Sequence, residues 1–593
     1  MMMICKNRLA AEACMSMCIV CLVCLGCLII KLQHVFHAFL YDKTRCGCHP
    51  NAPPGPWRLP LLGNLHQLLL CKPLLTHQAL TQLAKKHGPL MCLQMGYRLA
   101  LFVSTGAMAK AFCQTNDQHF TSRPAFTFCD RLLYGQQNGV AFSTYGPRWR
   151  KMRRICMLEL FTTKRVISFQ KILEEELALL VVDVNLLCRQ SVSGSVEMNI
   201  AHLAHLMVSN IMGRLVLRKR MCDTCVNGES LLDMFKKTND VIAPAMTDFL
   251  PFFGPLLDFK SRHKMHHTHK HIDAFWTVIL HDRRKCREAQ PHSPSKDFLD
   301  VLLSNQEVIE LGDDNIKATL MDILGAGSET SAITIEWAMA ELLRNPHCLL
   351  KLQGELDTMC PSMDLVRVSS SSLTCPISSS LWARRNVLYA HSSSLLATAP
   401  LISLPLPESC PSIPYSRIAQ ASYLKSVVKE TLRLHPPVPL LIPRGSTVGA
   451  RCEFGDYTFA DNLMLFVNAW ALGRDGDIWE QPDAFQPDRF DGNGGNMGGA
   501  TWSSTDFRML PFGMGRRKCP GMALALCIME LTVATFVRAF HWELPNKQVL
   551  LEADMREKSG NAGTRKAEPL VAILRPRMAK PTESSSPRDT ELS

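Results

Sequence analysis

No glycine-rich loop of the kind that cradles a flavin or nicotinamide dinucleotide occurs in the 593 residues. Any electrons used in chemistry must therefore come from a partner. Self-similarity at a period of about 20–50 residues is also missing, as is a sustained heptad seam, which excludes solenoids, propellers and coiled coils. Charge of one sign is scarce: 65 basic against 53 acidic residues leave a net +12. Spread over this length, that is too mild for a nucleic-acid binder and fits an anionic membrane surface or an acidic partner better. Cysteine is plentiful at 24, but a disulfide framework is lacking. Cys5, Cys14, Cys18, Cys21, Cys24 and Cys27 crowd the first 27 residues, and most others are scattered singly. Free thiols in a reducing compartment are predicted, with the bulk of the chain facing cytosol.

What is present is apolar. Hydrophobic residues make up 47% and charged residues 20%, enough for a large buried core. Residues 13–30 carry no charge between Glu12 and Lys31. As a helix they span about 27 Å against a hydrocarbon core of about 30 Å, just enough to cross a bilayer. A cleaved signal peptide is the alternative, but no small-x-small cleavage site follows the run. Lys31, Lys43 and Arg45 after the segment weakly favour a cytosolic C-terminal side over Lys6 and Arg8 before it. The stretch Asn51-Ala-Pro-Pro-Gly-Pro-Trp-Arg-Leu-Pro60 then fixes extended backbone and withholds amide donors, as a stiff hinge would.

Beyond it the pattern is mostly helical, with amphipathic runs at 166–187, 314–344 and 423–434 and short strand candidates at 90–95 and 99–104. The expected fold class is mainly α with a minor β region. Residues 360–416 stand apart as Ser- and Pro-rich and sparsely charged, and 576–593 form a polar, disordered tail. Cys222-Asp-Thr-Cys225 lacks partners at metal spacing and is read as non-functional.

One cysteine has a different setting. In Phe512-Gly-Met-Gly-Arg-Arg-Lys-Cys-Pro-Gly521 it lies in a glycine-punctuated, basic loop directly before an apolar helical run that starts near Met522. Arg516, Arg517, Lys518 and the helix N-terminus are all expected to lower the Cys519 pKa. The pattern Phe-x-x-Gly-x-Arg-x-Cys-x-Gly closely resembles the haem-binding loop of the cytochrome P-450 superfamily, and is similar in particular to its plant microsomal group, which modifies phenolics, flavonoids and terpenoids.

The other landmarks follow in that family's order. Glu430-Thr-Leu-Arg433 places carboxylate and guanidinium on one helix face. By resemblance the pair is buried and joined by Arg489 of Pro487-Asp-Arg489-Phe in a structural network. Ala326-Gly-Ser-Glu-Thr-Ser331 puts a glycine in mid-helix, at a cost of about 1 kcal/mol that something should compensate. The resemblance implies a groove for dioxygen there, with Thr330 and Glu329 guiding protons. Trp149, Arg153, Arg444 and Arg517 would meet the haem propionates, and Phe512 and Cys519 the haem, with Cys519 as axial ligand of the iron.

The resemblance thus implies a single large domain over 61–575, behind a membrane anchor at 1–40 and a basic, Pro-rich hinge at 41–60. It implies haem b (iron protoporphyrin IX) as cofactor, and a monooxygenase of the endoplasmic reticulum membrane. Its partners would be an NADPH-cytochrome P-450 reductase, O2, membrane lipid and a small hydrophobic plant metabolite, with no nucleic acid. Arg150, Arg154, Arg516 and Lys518 would form the basic face toward the reductase. Two readings compete with it: an inactive haem-binding product and a haem-thiolate isomerase. The segment between Asp357 and Ile418 is roughly thirty to forty residues longer than the family pattern, and reads as translated intron or as a surface insertion. The Ser-Gly-Asn-Ala-Gly run near Lys558 departs from the apolar substrate-facing turn of related plant enzymes.

Overall fold

The computed structural model describes residues 52–71, 74–289, 297–306, 311–360, 364–367, 409–447, 452–459, 463–491, 506–545, 554–560 and 563–577. The expected anchor at 1–40, most of 360–416 and nearly all of the 576–593 tail lie outside the described residues.

The main helices are α1 (Thr76–His87), α2 (Pro147–Cys156), α3 (Thr163–Gln190), α4 (Ile200–Leu217), α5 (Phe259–Ala289), α6 (Asp313–Arg344), α7 (Pro346–Met359), α8 (Ser422–Leu434) and α9 (Met522–Ala539). Their ends follow from local chemistry. Thr162 and Asn199 cap α3 and α4, accepting from the amides of Arg165 and His202. Asn345-Pro346 ends α6 and opens α7, since proline at the first helical position loses only an amide that would be unpaired anyway. The α8 start is closed from outside: Glu355 Oε1 and Oε2 accept from the amides of Tyr423 (2.8 Å) and Leu424 (2.9 Å).

α4 and α9 are each 18 residues long and apolar enough to cross a membrane, but they are 78% and 83% buried. They are core helices, packed with α6 and α3. α6 and α4 approach closely because Gly327 has no side chain: a Cβ there would lie 2.6 Å from the Met212 Cε methyl. Close packing is thus what offsets the helix cost of this glycine.

Strands β1 (Leu90–Met95), β2 (Arg98–Val103), β3 (Val196–Asn199), β4 (Asp364–Arg367), β5 (Ser409–Ser412), β6 (Arg444–Gly445), β7 (Leu463–Val467), β8 (Phe540–Glu543), β9 (Glu557–Ser559), β10 (Thr564–Lys566) and β11 (Val571–Pro576) form small sheets. One has the order β1-β2-β7-β6, with β7 parallel to β2 and antiparallel to β6. Another runs β8-β11-β3, while β4–β5 and β9–β10 are two-stranded. The second strand begins at Arg98, one residue before the expected 99, because the β1–β2 hairpin pairs Met95 directly with Arg98.

The described part of the proline stretch is not a free hinge. Cys92 N donates to Pro54 O at 3.0 Å, and a Cβ on Gly55 would sit 2.2 Å from Cys92 O, so 52–60 lies against β1. Proline withholds a donor but keeps its carbonyl, which the strand edge uses.

Glu430, Arg433 and Arg489 meet below α8. Glu430 and Arg433 are fully buried, with Nε to Oε2 at 2.6 Å and Nη2 to Oε1 at 2.7 Å. Arg433 also donates to the carbonyls of Gly473, Pro482 (2.6 Å) and Ala484 (2.9 Å). Arg489 Nε (3.1 Å) and Gln486 N (2.9 Å) complete the Glu430 carboxylate. Removing one partner strands a buried charge at a cost of about 3–5 kcal/mol. Arg433→Met should therefore lower unfolding stability by that order in a denaturant titration, with Glu430→Gln in the same chain restoring part of it.

Candidate active site

A cavity with about 1660 Å³ of empty space, counted to its open mouth, lies between α6, the start of α9 and the loop before it. Cys519 and Phe512 line it from one side, and Ala326, Gly327 and Thr330 from α6 on the other.

The cysteine loop is built by glycine. Gly513 and Gly515 both have φ of 63°. A Cβ on Gly515 would lie 2.3 Å from Cys113 O and 2.6 Å from Asp117 Oδ1, so only glycine allows this turn. The turn closes with Cys519 N donating to Phe512 O at 2.9 Å. The Cys519 side chain is open to the cavity yet ringed by protein. Burial raises its thiol pKa, opposing the expected lowering, while the Gly521 amide, Arg153 and Lys518 pull it down. Arg516 and Arg517 do not act on the sulfur as the sequence implied. Arg517 turns away to Thr121 O and Ser143 O, both at 2.6 Å, and Arg516 lies toward Asp117. A thiol held protonated by burial needs a cation to become a thiolate.

Four guanidinium groups line the cavity: Arg123, Arg153, Arg444 and Arg517. Arg444 is paired with Asp117 at 2.7 Å and donates to Met514 O. Arg153 donates to Lys518 O at 2.6 Å. Arg123 donates to the carbonyls of Ala141 (2.9 Å), Ile442 (2.7 Å) and Pro443 (2.8 Å). Burial, and then Arg517, Arg444 and Arg153, push Arg123 well below its ordinary pKa. Burial, and then Arg444 and Arg153, push Arg517 down to about 9. This much buried positive charge is satisfied by anions, and the two carboxylates of a porphyrin supply them. The thiol and the guanidinium cluster together fit a haem.

Trp149 departs in detail from the propionate role. Its Nε1 already donates to Val140 O at 2.9 Å, and its ring carries Arg517 (4.1 Å) and Arg153 (5.4 Å) on cation–π contacts. Arg123 was missed by sequence reasoning. Ser122-Arg123-Pro124 has no periodicity or cluster to mark it, and the arginine reaches the site through the fold.

The two α6 residues separate. Thr330 faces the cavity and donates to Ala326 O at 2.8 Å. Glu329 is not among the cavity-lining residues and is buried. It accepts from His205 Nε2 (3.1 Å) and Asn239 Nδ2 (3.2 Å) and is paired with Arg565 of β10. Burial alone would raise its pKa, but the His205 and Arg565 interactions outweigh it and hold the carboxyl below its usual range. Glu329 thus does not line the cavity beside Thr330, because i and i+1 on a helix point about 100° apart, and its carboxylate is engaged by His205, Asn239 and Arg565. Among the described residues no three His, Cys, Asp or Glu converge as a metal site, and Cys222 and Cys225 stay apart from the cavity.

Comparison with known proteins decides the family. The profile described as Cytochrome P450 matches residues 53–372 and 408–565. The chain belongs to the cytochrome P450 family. This P450 is 35% identical to salviol synthase of Salvia pomifera over 549 residues, covering 92% of this chain and 95% of that protein. It is 34% identical to desmethyl-deoxy-podophyllotoxin synthase of Sinopodophyllum hexandrum, covering 87% and 90%. To costunolide synthase of Cichorium intybus it is 32% identical, covering 86% and 90%. The P450 is a haem-dependent monooxygenase, a family that uses O2 and a redox partner. Residues 373–407 fall between the two matched blocks.

Because Arg123 is buried on the cavity wall, Arg123→Leu should weaken haem retention about tenfold or more, the scale of a charge-assisted hydrogen bond. Haem content per polypeptide after purification measures it, with exposed Arg148→Leu as the unaffected control.

Proposed function

We propose that this P450 oxygenates a small apolar plant metabolite of the terpenoid or phenylpropanoid class, with Cys519 as the axial ligand of haem b. One observation carries the reading: Cys519, from the loop before α9, and Thr330, from α6, line the same cavity. When bound, the haem supplies the reduction of dioxygen by two electrons and two protons, one oxygen atom entering the substrate and the other leaving as water.

The protein's own residues do the rest. Arg123, Arg153, Arg444 and Arg517 fix the propionate end, and the Gly513–Gly515 turn presents the sulfur. Thr330 holds a proton at Oγ1 on the oxygen side, and its bond to the Ala326 carbonyl keeps that hydroxyl at the cavity wall. Glu329 positions α6 against β10 through Arg565. Leu432, Val438, Leu441 and Leu465 contribute apolar lining that favours a hydrophobic substrate and limits water.

Electrons come from an NADPH-cytochrome P450 reductase, since the sequence has no dinucleotide-binding loop. Arg150, Arg154 and Arg516 are exposed near the cysteine loop, where an acidic flavoprotein would be attracted. The apolar run at 13–30 makes the endoplasmic reticulum membrane the proposed location, with the catalytic body in cytosol.

Cys519→Ser should abolish the thiolate spectral signature of the reduced carbon-monoxide complex. Thr330→Ala should keep that signature while several-fold more NADPH is consumed per product formed. Turnover of candidate terpenoids and phenylpropanoids with reductase, NADPH and oxygen tests the whole reading, and turnover without NADPH and oxygen would replace it with an isomerase.

A further inference from the structure

The first half of α5 carries histidine at four exposed positions, His263, His266, His267 and His271. Because a helix turns about 100° per residue, 263, 267 and 271 follow one another in a stripe, each about 40° round from the last. Met265, Ile272 and Trp276 are buried on the face turned to the body. His269 is engaged with the body as well, its Nδ1 against Leu132 O at 3.1 Å and its ring on Tyr134 at 4.9 Å. The stripe faces the other way and adds nothing to the core.

Within it, His267 and His271 are in ring contact, with centroids 4.6 Å apart and planes inclined at 51°. Neither imidazole enters a hydrogen bond or an ion pair among the described residues. Two accessible imidazoles one turn apart are the arrangement with which a helix chelates a transition ion. The spacing also fits. With metal–nitrogen bonds of about 2.0–2.1 Å, two imidazoles at right angles about one ion have ring centroids roughly 4.5 Å apart, so the pair closes on an ion without backbone movement.

The surroundings select the ion. From Phe259 to Ile272 the helix has no carboxylate, and the flanking Asp258 and Asp273 are engaged by Thr247 and Lys317. Ca2+ and Mg2+, which need oxygen ligands, find none on this stretch. Lys264 and Lys270 are exposed beside the pair and repel any cation, which disfavours ions held by charge alone more than ions that bond to imidazole nitrogen.

We propose that His267 and His271 form a surface site for one divalent transition ion of the Ni2+, Cu2+ or Zn2+ class, held by the two imidazoles with water at its remaining positions. Neither histidine lines the cavity, so the site is separate from the haem end and independent of it.

The test titrates the full-length haem-loaded protein with Ni2+ by calorimetry at about pH 8, where exposed imidazole is neutral. The variants are His267→Ala, His271→Ala, His263→Ala and the double variant His271→Ala/Ala274→His. The double variant keeps the number of histidines but sets the two seven residues apart, about 10.5 Å along the axis. Wild type should show one class of site that weakens about a hundredfold in His267→Ala, in His271→Ala and in the double variant, the scale of losing one arm of a chelate. His263→Ala should leave it unchanged. All four positions are exposed, and an unaltered haem absorption spectrum confirms that each variant is folded. Titrations of His267→Ala and His271→Ala that match wild type would overturn the proposal. Full binding by the double variant would overturn it too, by showing that histidine number and not spacing holds the ion, as would loss of the site in His263→Ala.

Discussion

The buried pair Glu430–Arg433 is the constraint on which the architecture depends. Taking both charges out of water is costly, so every remaining donor and acceptor on them must be met, and the fold meets them by wrapping residues 473–489 around α8. That wrap is the path by which the chain proceeds toward the cysteine loop. Trp479 lies over the Arg433 guanidinium at 5.2 Å and near Arg489 at 5.9 Å, closing the cluster to water. The network does no chemistry.

A second electrostatic tension sits across the cavity. The site gathers positive charge at one end and a buried thiol at the floor, two conditions that cost free energy in the empty protein. On the proposed reading both would be relieved by one ligand, an iron porphyrin, whose carboxylates would answer the guanidinium groups and whose metal would answer the sulfur. Binding energy for the cofactor is therefore partly the release of strain already in the fold.

Much of this was legible in the sequence, for reasons that differ by residue. The helices 166–187 and 423–434 fell inside α3 and α8 because their apolar periodicity is long. The cysteine loop stood out because glycine, arginine and cysteine occur there at fixed offsets, which local backbone geometry demands. Glu430 and Arg433 share a helix face, so their pairing could be read from spacing, but their burial came only from family resemblance. Arg123 was invisible: it is a single polar residue whose role is conferred by segments far away in sequence. The direction of Glu329 was not legible, because a motif identifies residue types and not the direction in which adjacent helical side chains point. The thiol misled because neighbouring charge is legible and depth of burial is not.

The small β4–β5 ladder, in which Arg367 pairs with Ser409 and Asp364 with Ser412, brings the two ends of the Ser-rich segment side by side. Arg367 and Ser409, which bracket residues 368–408 in the sequence, are therefore neighbours. Under those conditions the length of what lies between is nearly a free parameter: each doubling costs only about 0.6 kcal/mol of closure entropy. The ladder works as a splice point, at which evolution can lengthen, shorten or replace a passage without moving the catalytic cavity.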